Sequence, residues 1–198
     1  MSKDGFELAI KKAEKEDKRL NQHIPEYKAF LEYANGYFNF HEIKKPIVVE
    51  IGILDGAQKA FYENILNAQY ISIDIDPKAP CTILGDSANI NTVNKLKELL
   101  NGNMIDLLFI DGLHSYEGAK SDYETYYPFV KHIVALHDIH TPKLTPTENV
   151  DVIRLWNEIL ANNKTDTLIT IQHYNPRKPT EFNGRPLGIG VVVRRSQG

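Results

Sequence analysis

The sequence has few of the features that mark disulfide-stapled, membrane-spanning or nucleic-acid-binding proteins. Its 198 residues include one cysteine, Cys81, which excludes an intramolecular disulfide framework and favours a reducing, cytoplasmic location. No apolar run approaches the roughly 18 residues that cross a bilayer, so we expect neither secretion nor membrane insertion. The net charge of −3 provides no basic footprint, so we expect no nucleic-acid partner.

The sequence also lacks internal repeats, low-complexity tracts and domain linkers. A hydrophobic content of 42% is enough for one domain with a substantial core. We predict an N-terminal helical extension over residues 1–40 that packs on a single globular domain over residues 41–198. In the extension, apolar spacing predicts one helix over 5–21, and Pro25 and Gly36 mark the start and end of another. These helices either cover a ligand site or form a homodimer contact.

One stretch, from Ile47 to Asp76, predicts a cofactor site. It has the pattern of a buried strand, a glycine-containing turn, a helix and a second buried strand that ends in acid. Gly52 and Gly56 can adopt backbone angles that other residues avoid, and the N–H groups that open the helix favour polar or anionic ligand atoms. Asp74, at the end of the second strand, can accept hydrogen bonds from a ribose diol. The stretch therefore indicates a nucleotide-type ligand.

The glycine spacing argues against a dinucleotide. A dinucleotide fold requires Gly-x-Gly-x-x-Gly, so that a pyrophosphate can lie against the backbone. Counted from Gly52, Leu54 and Ala57 occupy the positions of the second and third glycines.

The pattern Glu50-x-Gly52-x-x-x-Gly56 instead resembles the first motif of class I S-adenosylmethionine-dependent methyltransferases. Asp74 then matches their ribose-binding acid, and Gly85-Asp86-Ser87 resembles their adenine-side turn. Gln58-Lys59 departs from the small residues that relatives usually carry. The resemblance assigns S-adenosylmethionine binding to Glu50, Gly52, Gly56, Asp74, Asp86 and Ser87.

The rest of the chain alternates strand and helix patterns, which predicts a doubly wound α/β sheet with its ligand outside the carboxyl ends of the strands. A capping box at Thr145–Glu148 predicts the start of the last helix, and the Pro- and Gly-containing residues 175–186 predict a long hairpin loop between the last two strands. The resemblance implies a Rossmann-like seven-stranded sheet in the order 3-2-1-4-5-7-6, with strand 7 antiparallel.

Polar side chains follow two strands that we expect to be neighbours. Asp111 follows the apolar run 105–110, and the pair His137-Asp138 follows another buried strand. Because neighbouring strands lie roughly 4.8 Å apart, these side chains can converge on one ion or one substrate hydroxyl. Carboxylates suit Mg²⁺ or Ca²⁺, whereas His137 or His114 would also admit Mn²⁺, Fe²⁺ or Zn²⁺. Imidazole titrates near neutrality, which makes His114 a candidate general base.

The run Asp111-Gly-Leu-His114-Ser-Tyr-Glu, followed by His137-Asp138, resembles the family of macrocin-type sugar O-methyltransferases and cephalosporin-hydroxylase-like proteins. In metal-dependent members, one acid after the fourth strand and two after the fifth bind the cation. The resemblance carries these positions over to Asp111, His137 and Asp138, with histidine in place of the family's first acid of the pair. Asp111 and His114 are the predicted catalytic residues.

We therefore predict an S-adenosylmethionine-dependent O-methyltransferase, assisted by Mg²⁺ or another divalent cation. Its acceptor would be a small hydroxylated molecule, such as a sugar or a natural-product intermediate. Two alternatives remain open: a metal-dependent hydrolase or hydroxylase-like enzyme, and a non-catalytic nucleoside-binding protein.

Overall fold

The computed structural model describes residues 3–16, 18, 20–140, 150–173 and 187–195. Its strands are β1 (Ile47–Ile51), β2 (Gln69–Asp74), β3 (Ile83–Leu84), β4 (Ile105–Ile110), β5 (Val130–His137), β6 (Thr167–Ile171) and β7 (Ile189–Val193). They form one sheet in the order β3-β2-β1-β4-β5-β7-β6. Strands β1 to β5 pair in parallel, and β7 is antiparallel to both β5 and β6. The predicted sheet order and the antiparallel last strand are confirmed.

Six α-helices accompany the sheet in the described part of the chain: α1 (Lys3–Lys15), α2 (Ile24–Phe40), α3 (Lys59–Leu66), α4 (Ile90–Leu100), α5 (Tyr116–Tyr126) and α6 (Val152–Asn162). A short 3-10 helix, Tyr127–Phe129, precedes β5. Among the described helices, none has the length and apolarity that a membrane crossing requires. The predicted capping box at Thr145–Glu148 and the loop at 175–186 lie outside the described residues.

The N-terminal helices differ from the sequence prediction in where they end. Helix α1 ends at Lys15 rather than near residue 21, and α2 continues through Gly36 to Phe40, so the predicted stop at Gly36 was wrong. Gly36 is exposed, while Ala34 and Phe38 on the same helix are buried. Packing of these flanking side chains outweighs the roughly 1 kcal/mol that glycine costs within a helix.

Two apolar cores lie on opposite faces of the sheet. Side chains of β4 alternate between them: Leu108 belongs to the core under α4, α5 and α6, whereas Leu107 and Phe109 belong to the core under α1, α2 and α3. Both faces are therefore covered, which explains why the strand sequences are apolar almost without interruption. Phe30 of α2 contributes to the second core, its ring centroid 5.4 Å from that of Phe109.

The parallel strands place the candidate site residues at one edge. Strands β1, β2, β4 and β5 all end at the carboxyl edge of the sheet, where the chain leaves each strand for a turn or helix. Since the side chains after these strands are brought together by the sheet itself, this edge is where a doubly wound fold holds its ligand.

Candidate active site

A cavity of about 590 Å³ lies along the carboxyl edge of the sheet, a volume typical of small-molecule sites. The turns after strands β1 to β5 and the connection between α1 and α2 line it. Its polar lining residues include Asn21, Gln22, Gln58, Asp74, Asp76, Asp86, Ser87, Asp111, His114, His137 and Asp138. The exposed apolar side chains of Leu54, Ile75 and Leu113 also line it.

Gly52 allows two turns of the site to pack against each other. Its φ is +78°, and a Cβ added there would lie 2.6 Å from the Cα of Gly112. The glycine is thus required by the turn after β4, in addition to any close approach of a ligand. Gly56 also has a positive φ, +75°, but a Cβ there would face the side chain of Pro80, 3.2 Å away. Gly52 lines the cavity, and Gly56 does not.

Asp74 lies at the end of β2 and faces the cavity, as the ribose assignment requires. Its Oδ2 accepts the backbone N–H of Ile53 at 2.8 Å, and its Oδ1 accepts that of Asp76 at 2.8 Å. These bonds fix the carboxylate, and each oxygen keeps a second lone pair for a ligand hydroxyl. The β1 turn and the predicted ribose acid are therefore held together.

The turn Gly85-Asp86-Ser87 forms another wall of the cavity and is supported from α5. The hydroxyl of Tyr126 donates to the carbonyl oxygen of Ser87 at 2.8 Å. Asp122 is also buried beneath this turn, and burial raises its pKa to about 6. The structure thus brings Gly52, Asp74, Asp86 and Ser87 to one cavity.

Glu50 lies beneath the cavity rather than in its lining. The hydroxyl of Tyr70 donates to its carboxyl group, and Oε1 has no hydrogen-bond partner among the described residues. Burial raises the pKa of Glu50 well above its ordinary value, because a buried carboxylate loses its hydration. A direct contact of Glu50 with the cofactor stays a prediction.

A cluster of two carboxylates and two imidazoles lies at the other end of the cavity, after β4 and β5. Nδ1 of His137 is 2.8 Å from Oδ1 of Asp111, and Nδ1 of His114 is 2.9 Å from Oδ2 of Asp138. The second ring nitrogen of His114 is 3.4 Å from Oδ1 of Asp111. Asp138 adopts φ +59°, an unusual conformation for a non-glycine residue. The sequence prediction that these strand ends converge is confirmed.

We call Asp111, His114, His137 and Asp138 the acidic cluster, and their opposite charges stabilise one another. Hydrogen bonds that His114 donates to Asp111 and Asp138 raise the pKa of His114 to about 10, against an ordinary value of 6.5. Burial by itself would raise the pKa of Asp111, but His137 and His114 outweigh it and lower the pKa. At neutral pH His114 is therefore a cation between two carboxylates. Before it can act as a base, it must lose that proton.

The acidic cluster also suits a divalent cation. Asp111, His114 and Asp138 each offer a ligand atom, and these atoms all lie within 4.8 Å of one another. The predicted set contained His137 instead of His114; His137 is buried, with its Nδ1 directed at Asp111. Two carboxylates with water suit Mg²⁺, and an added imidazole suits Mn²⁺, Fe²⁺ or Zn²⁺.

Gln22 is a site residue that the sequence did not indicate. Its Nε2 donates to Oδ2 of Asp111 at 2.7 Å, and the side chain lines the cavity. The two residues are 89 positions apart in the chain, so no local pattern connects them. A glutamine in a polar connection between helices has the sequence signal of an ordinary solvated residue.

Several solved structures share this fold. Cofactor-bound Rv0187 from MTB is 13% identical, with a TM-score of 0.61 and coverage of 99% of this chain and 92% of that one. The O-methyltransferase from Bacillus cereus, solved with SAH, is 12% identical, with a TM-score of 0.58 and coverage of 98% and 92%. The fold is therefore that of the class I methyltransferases.

MycE from the mycinamycin biosynthetic pathway, solved with Mg and SAH, is 13% identical, with a TM-score of 0.57. The match covers 84% of this chain and 49% of MycE, so the chain spans about half the length of that relative. None of the curated protein sequences matches the chain.

A family model described as a methyltransferase domain matches residues 49–139. This range runs from β1 through the pair His137-Asp138 and includes most of the cavity lining. The match covers slightly less than half of the chain, and with the strand order it shows that this part of the chain is similar to methyltransferase domains.

Proposed function

We propose that this protein transfers a methyl group from S-adenosylmethionine to a hydroxyl oxygen of a small acceptor, with assistance from a divalent cation. The observation that carries the proposal is the layout of one cavity. Asp74 lies in its wall at the end of β2, and the acidic cluster lies in its wall after β4 and β5. One ligand could therefore be held at each end, with the reacting groups between them.

Asp74, Asp86 and Ser87 would hold the adenosine part of the cofactor, and Gly52 would bring the backbone near it. S-adenosylmethionine supplies a methyl group on a sulfonium, which is already a good leaving group. The main tasks of the protein are then alignment of the acceptor oxygen and removal of its proton.

Asp111 and Asp138 are the residues that would hold the cation, and His114 would accept the proton of the acceptor hydroxyl. A divalent cation at these carboxylates would lower the pKa of a bound hydroxyl. The side chain of His114 is 37% exposed, which lets it face an acceptor in the cavity, whereas His137 is buried. A cation bound to the two carboxylates would also offset the negative charge that raises the pKa of His114.

The acceptor end of the cavity supports a small molecule. Gln22, Leu113 and Leu187 line this end, which makes it partly apolar and brings the connection between α1 and α2 to the cavity. We propose that α1 and α2 cover the site, and homodimerisation stays a prediction. The single cysteine and the net charge of −3 support a cytoplasmic enzyme with no nucleic-acid partner.

Calorimetric titration with S-adenosylhomocysteine tests the cofactor assignment. Asp74→Ala should bind about 100-fold more weakly, since hydrogen bonds to a charged group contribute about 1.5–3 kcal/mol each. Asp106→Ala is the matched control, because Asp106 also accepts a backbone N–H, that of Ile47 at 2.7 Å, but near the start of β4. Equal affinity of wild type and Asp74→Ala would remove the ribose assignment.

Incubation with methyl-labelled S-adenosylmethionine and a panel of sugars, catechols and other hydroxyl compounds tests the reaction. We expect methyl ethers to form with Mg²⁺ or Mn²⁺ and the rate to fall in EDTA. Cofactor binding without transfer to any acceptor would favour the nucleoside-binding alternative. Metal-dependent turnover of the panel without S-adenosylmethionine would favour the hydrolase or hydroxylase alternative.

A further inference from the structure

Gln22 occupies the connection between α1 and α2 and reaches across to the acidic cluster. The residue is 4% exposed, although it lies outside any helix or strand. Such burial is unusual for a glutamine in a connection between helices. The side chain is therefore held in the protein rather than in solvent.

The contact with Asp111 fixes the orientation of the Gln22 amide. The NH₂ group of Gln22 donates to Oδ2 of Asp111 at 2.7 Å, since a carboxylate oxygen accepts hydrogen bonds. His137 approaches the other oxygen, Oδ1, at 2.8 Å. Gln22 and His137 together fix the plane of the Asp111 carboxylate.

The amide oxygen of Gln22 is buried and has no hydrogen-bond partner among the described residues. An unpaired buried acceptor lowers the stability of the folded state. An apolar side chain of similar size would avoid this cost but would leave Oδ2 of Asp111 without its donor, so the contact with Asp111 accounts for glutamine here. Buried polar groups that lack a hydrogen-bond partner are expected mainly at functional sites.

Glu26 anchors the segment that carries Gln22. Glu26 is buried in the first turn of α2, and its oxygens accept the backbone N–H groups of His173 at 2.7 Å and Gly188 at 3.0 Å. These partners follow β6 and precede β7, so the bonds tie the start of α2 to the sheet. Gln22 is thereby presented to Asp111 from a fixed support.

We propose that Gln22 is a positioning residue that holds the Asp111 carboxylate in the orientation required for a divalent cation. The cation site is then completed by the N-terminal helices, although its acids come from the strand ends of the sheet. This inference rests on the proposed function, which places the cation at Asp111 and Asp138. Partners that orient metal-ligating groups typically change metal affinity or activity 10–100-fold when they are removed.

The proposal is tested by titration of the full chain with Mn²⁺. Binding is measured by calorimetry and by the electron paramagnetic resonance signal of free Mn²⁺. Gln22→Met keeps the approximate size of the side chain and removes the N–H donor. We expect its Mn²⁺ affinity to fall about 10-fold, at the lower end of that range. Its Tm should fall modestly, because Oδ2 of Asp111 loses a hydrogen bond, whereas its affinity for S-adenosylhomocysteine should be unchanged. Gln22→Asn keeps the amide but shortens the reach, and should lose the same Mn²⁺ affinity.

Gln58→Met is the matched control. Gln58 is equally buried, at 5% exposed, and lines the same cavity, but among the described residues it makes no hydrogen bond to the acidic cluster. Its Mn²⁺ affinity should equal that of wild type. A comparable loss in Gln58→Met would overturn the specific role of Gln22.

Two further results would overturn the inference. One is Mn²⁺ affinity in both Gln22 variants equal to that of wild type, which would leave the proposed function intact. The other is a lowered Tm with parallel loss of Mn²⁺ and S-adenosylhomocysteine binding, which would make Gln22 merely structural. A wild-type protein that binds S-adenosylhomocysteine but not Mn²⁺ would remove this inference and the cation, and keep the cofactor assignment. Failure of wild type to bind either ligand would reject the proposed function as well.

Discussion

At the scale of single residues, the acidic cluster shows how neighbours change the chemistry of one side chain. An isolated imidazole titrates near neutrality, but His114 lies between Asp111 and Asp138, and they raise its pKa to about 10. The residue type alone predicts a base, whereas its surroundings make it a cation at neutral pH. The same side chain thus stabilises the folded protein and must release a proton in order to act.

This raised pKa predicts how stability depends on pH. A group whose pKa is higher in the folded state contributes fully below its unfolded pKa, near 6.5, and loses that contribution as pH rises through about 10. Because His114 is partly exposed, we expect about 1–2 kcal/mol of unfolding free energy to be lost over this range. Urea unfolding in EDTA at several pH values should show this loss in wild type. His114→Gln should lack it, and parallel curves for the two proteins would contradict the assignment.

At the scale of elements, the site depends on contact between the turn after β1 and the turn after β4. Gly52 has φ +78°, and its backbone passes so close to Asp111 and Gly112 that no Cβ fits. The two turns belong to neighbouring parallel strands, which lie side by side at the edge of the sheet. The cavity floor is therefore set by strand pairing as much as by the motif itself.

Gly52→Ala should separate these turns. We expect a loss of at least about 2 kcal/mol of unfolding free energy, from the left-handed conformation and the backbone clash, and weakened binding of S-adenosylhomocysteine. Gly36→Ala is the control, because Gly36 is exposed within α2 and an added Cβ meets nothing within 4 Å. That change should stabilise the protein by about 0.5–1 kcal/mol. Chemical denaturation of both variants measures these changes. An unfolding free energy of Gly52→Ala equal to that of wild type would refute the steric argument.

At the scale of the whole molecule, the N-terminal helices belong to one of the two cores. Phe6 of α1 and Phe30 of α2 pack in the same buried cluster as Phe109 of β4. The only tryptophan, Trp156, lies in the other core, on the opposite face of the sheet, where its Nε1 donates to Thr170 at 3.1 Å. The sheet connects the two cores, so we expect the extension and the globular domain to unfold together.

Phe30→Ala tests this coupling. Loss of a buried phenylalanine side chain costs about 3–5 kcal/mol. If the molecule is one cooperative unit, the fluorescence of Trp156 and the far-ultraviolet circular dichroism should shift to lower urea by the same amount. A shift in circular dichroism alone would mean that residues 1–40 unfold as a separate unit.

The sequence by itself determined the elements and the edge at which the site lies. Strand β4 is a continuous apolar run, and the glycines after β1 and the acid after β2 follow a spaced pattern, so local periodicity was sufficient to identify them. Asp111 and Asp138 follow strands directly, and parallel strands bring such residues to one edge. The end of α2 was misjudged at Gly36 because burial of its neighbours, rather than local propensity, decides how far the helix extends.

Only the tertiary structure decided which groups meet and in what state they are charged. Gln22 contacts Asp111 across 89 residues of chain, and Glu50 turns beneath the cavity to meet Tyr70 instead of lining it. The sequence assigned Glu50 by motif and gave no reason to choose Gln22. Contacts between side chains, and the pKa shifts that they cause, depend on distance and burial in three dimensions, which a local pattern of residues does not specify.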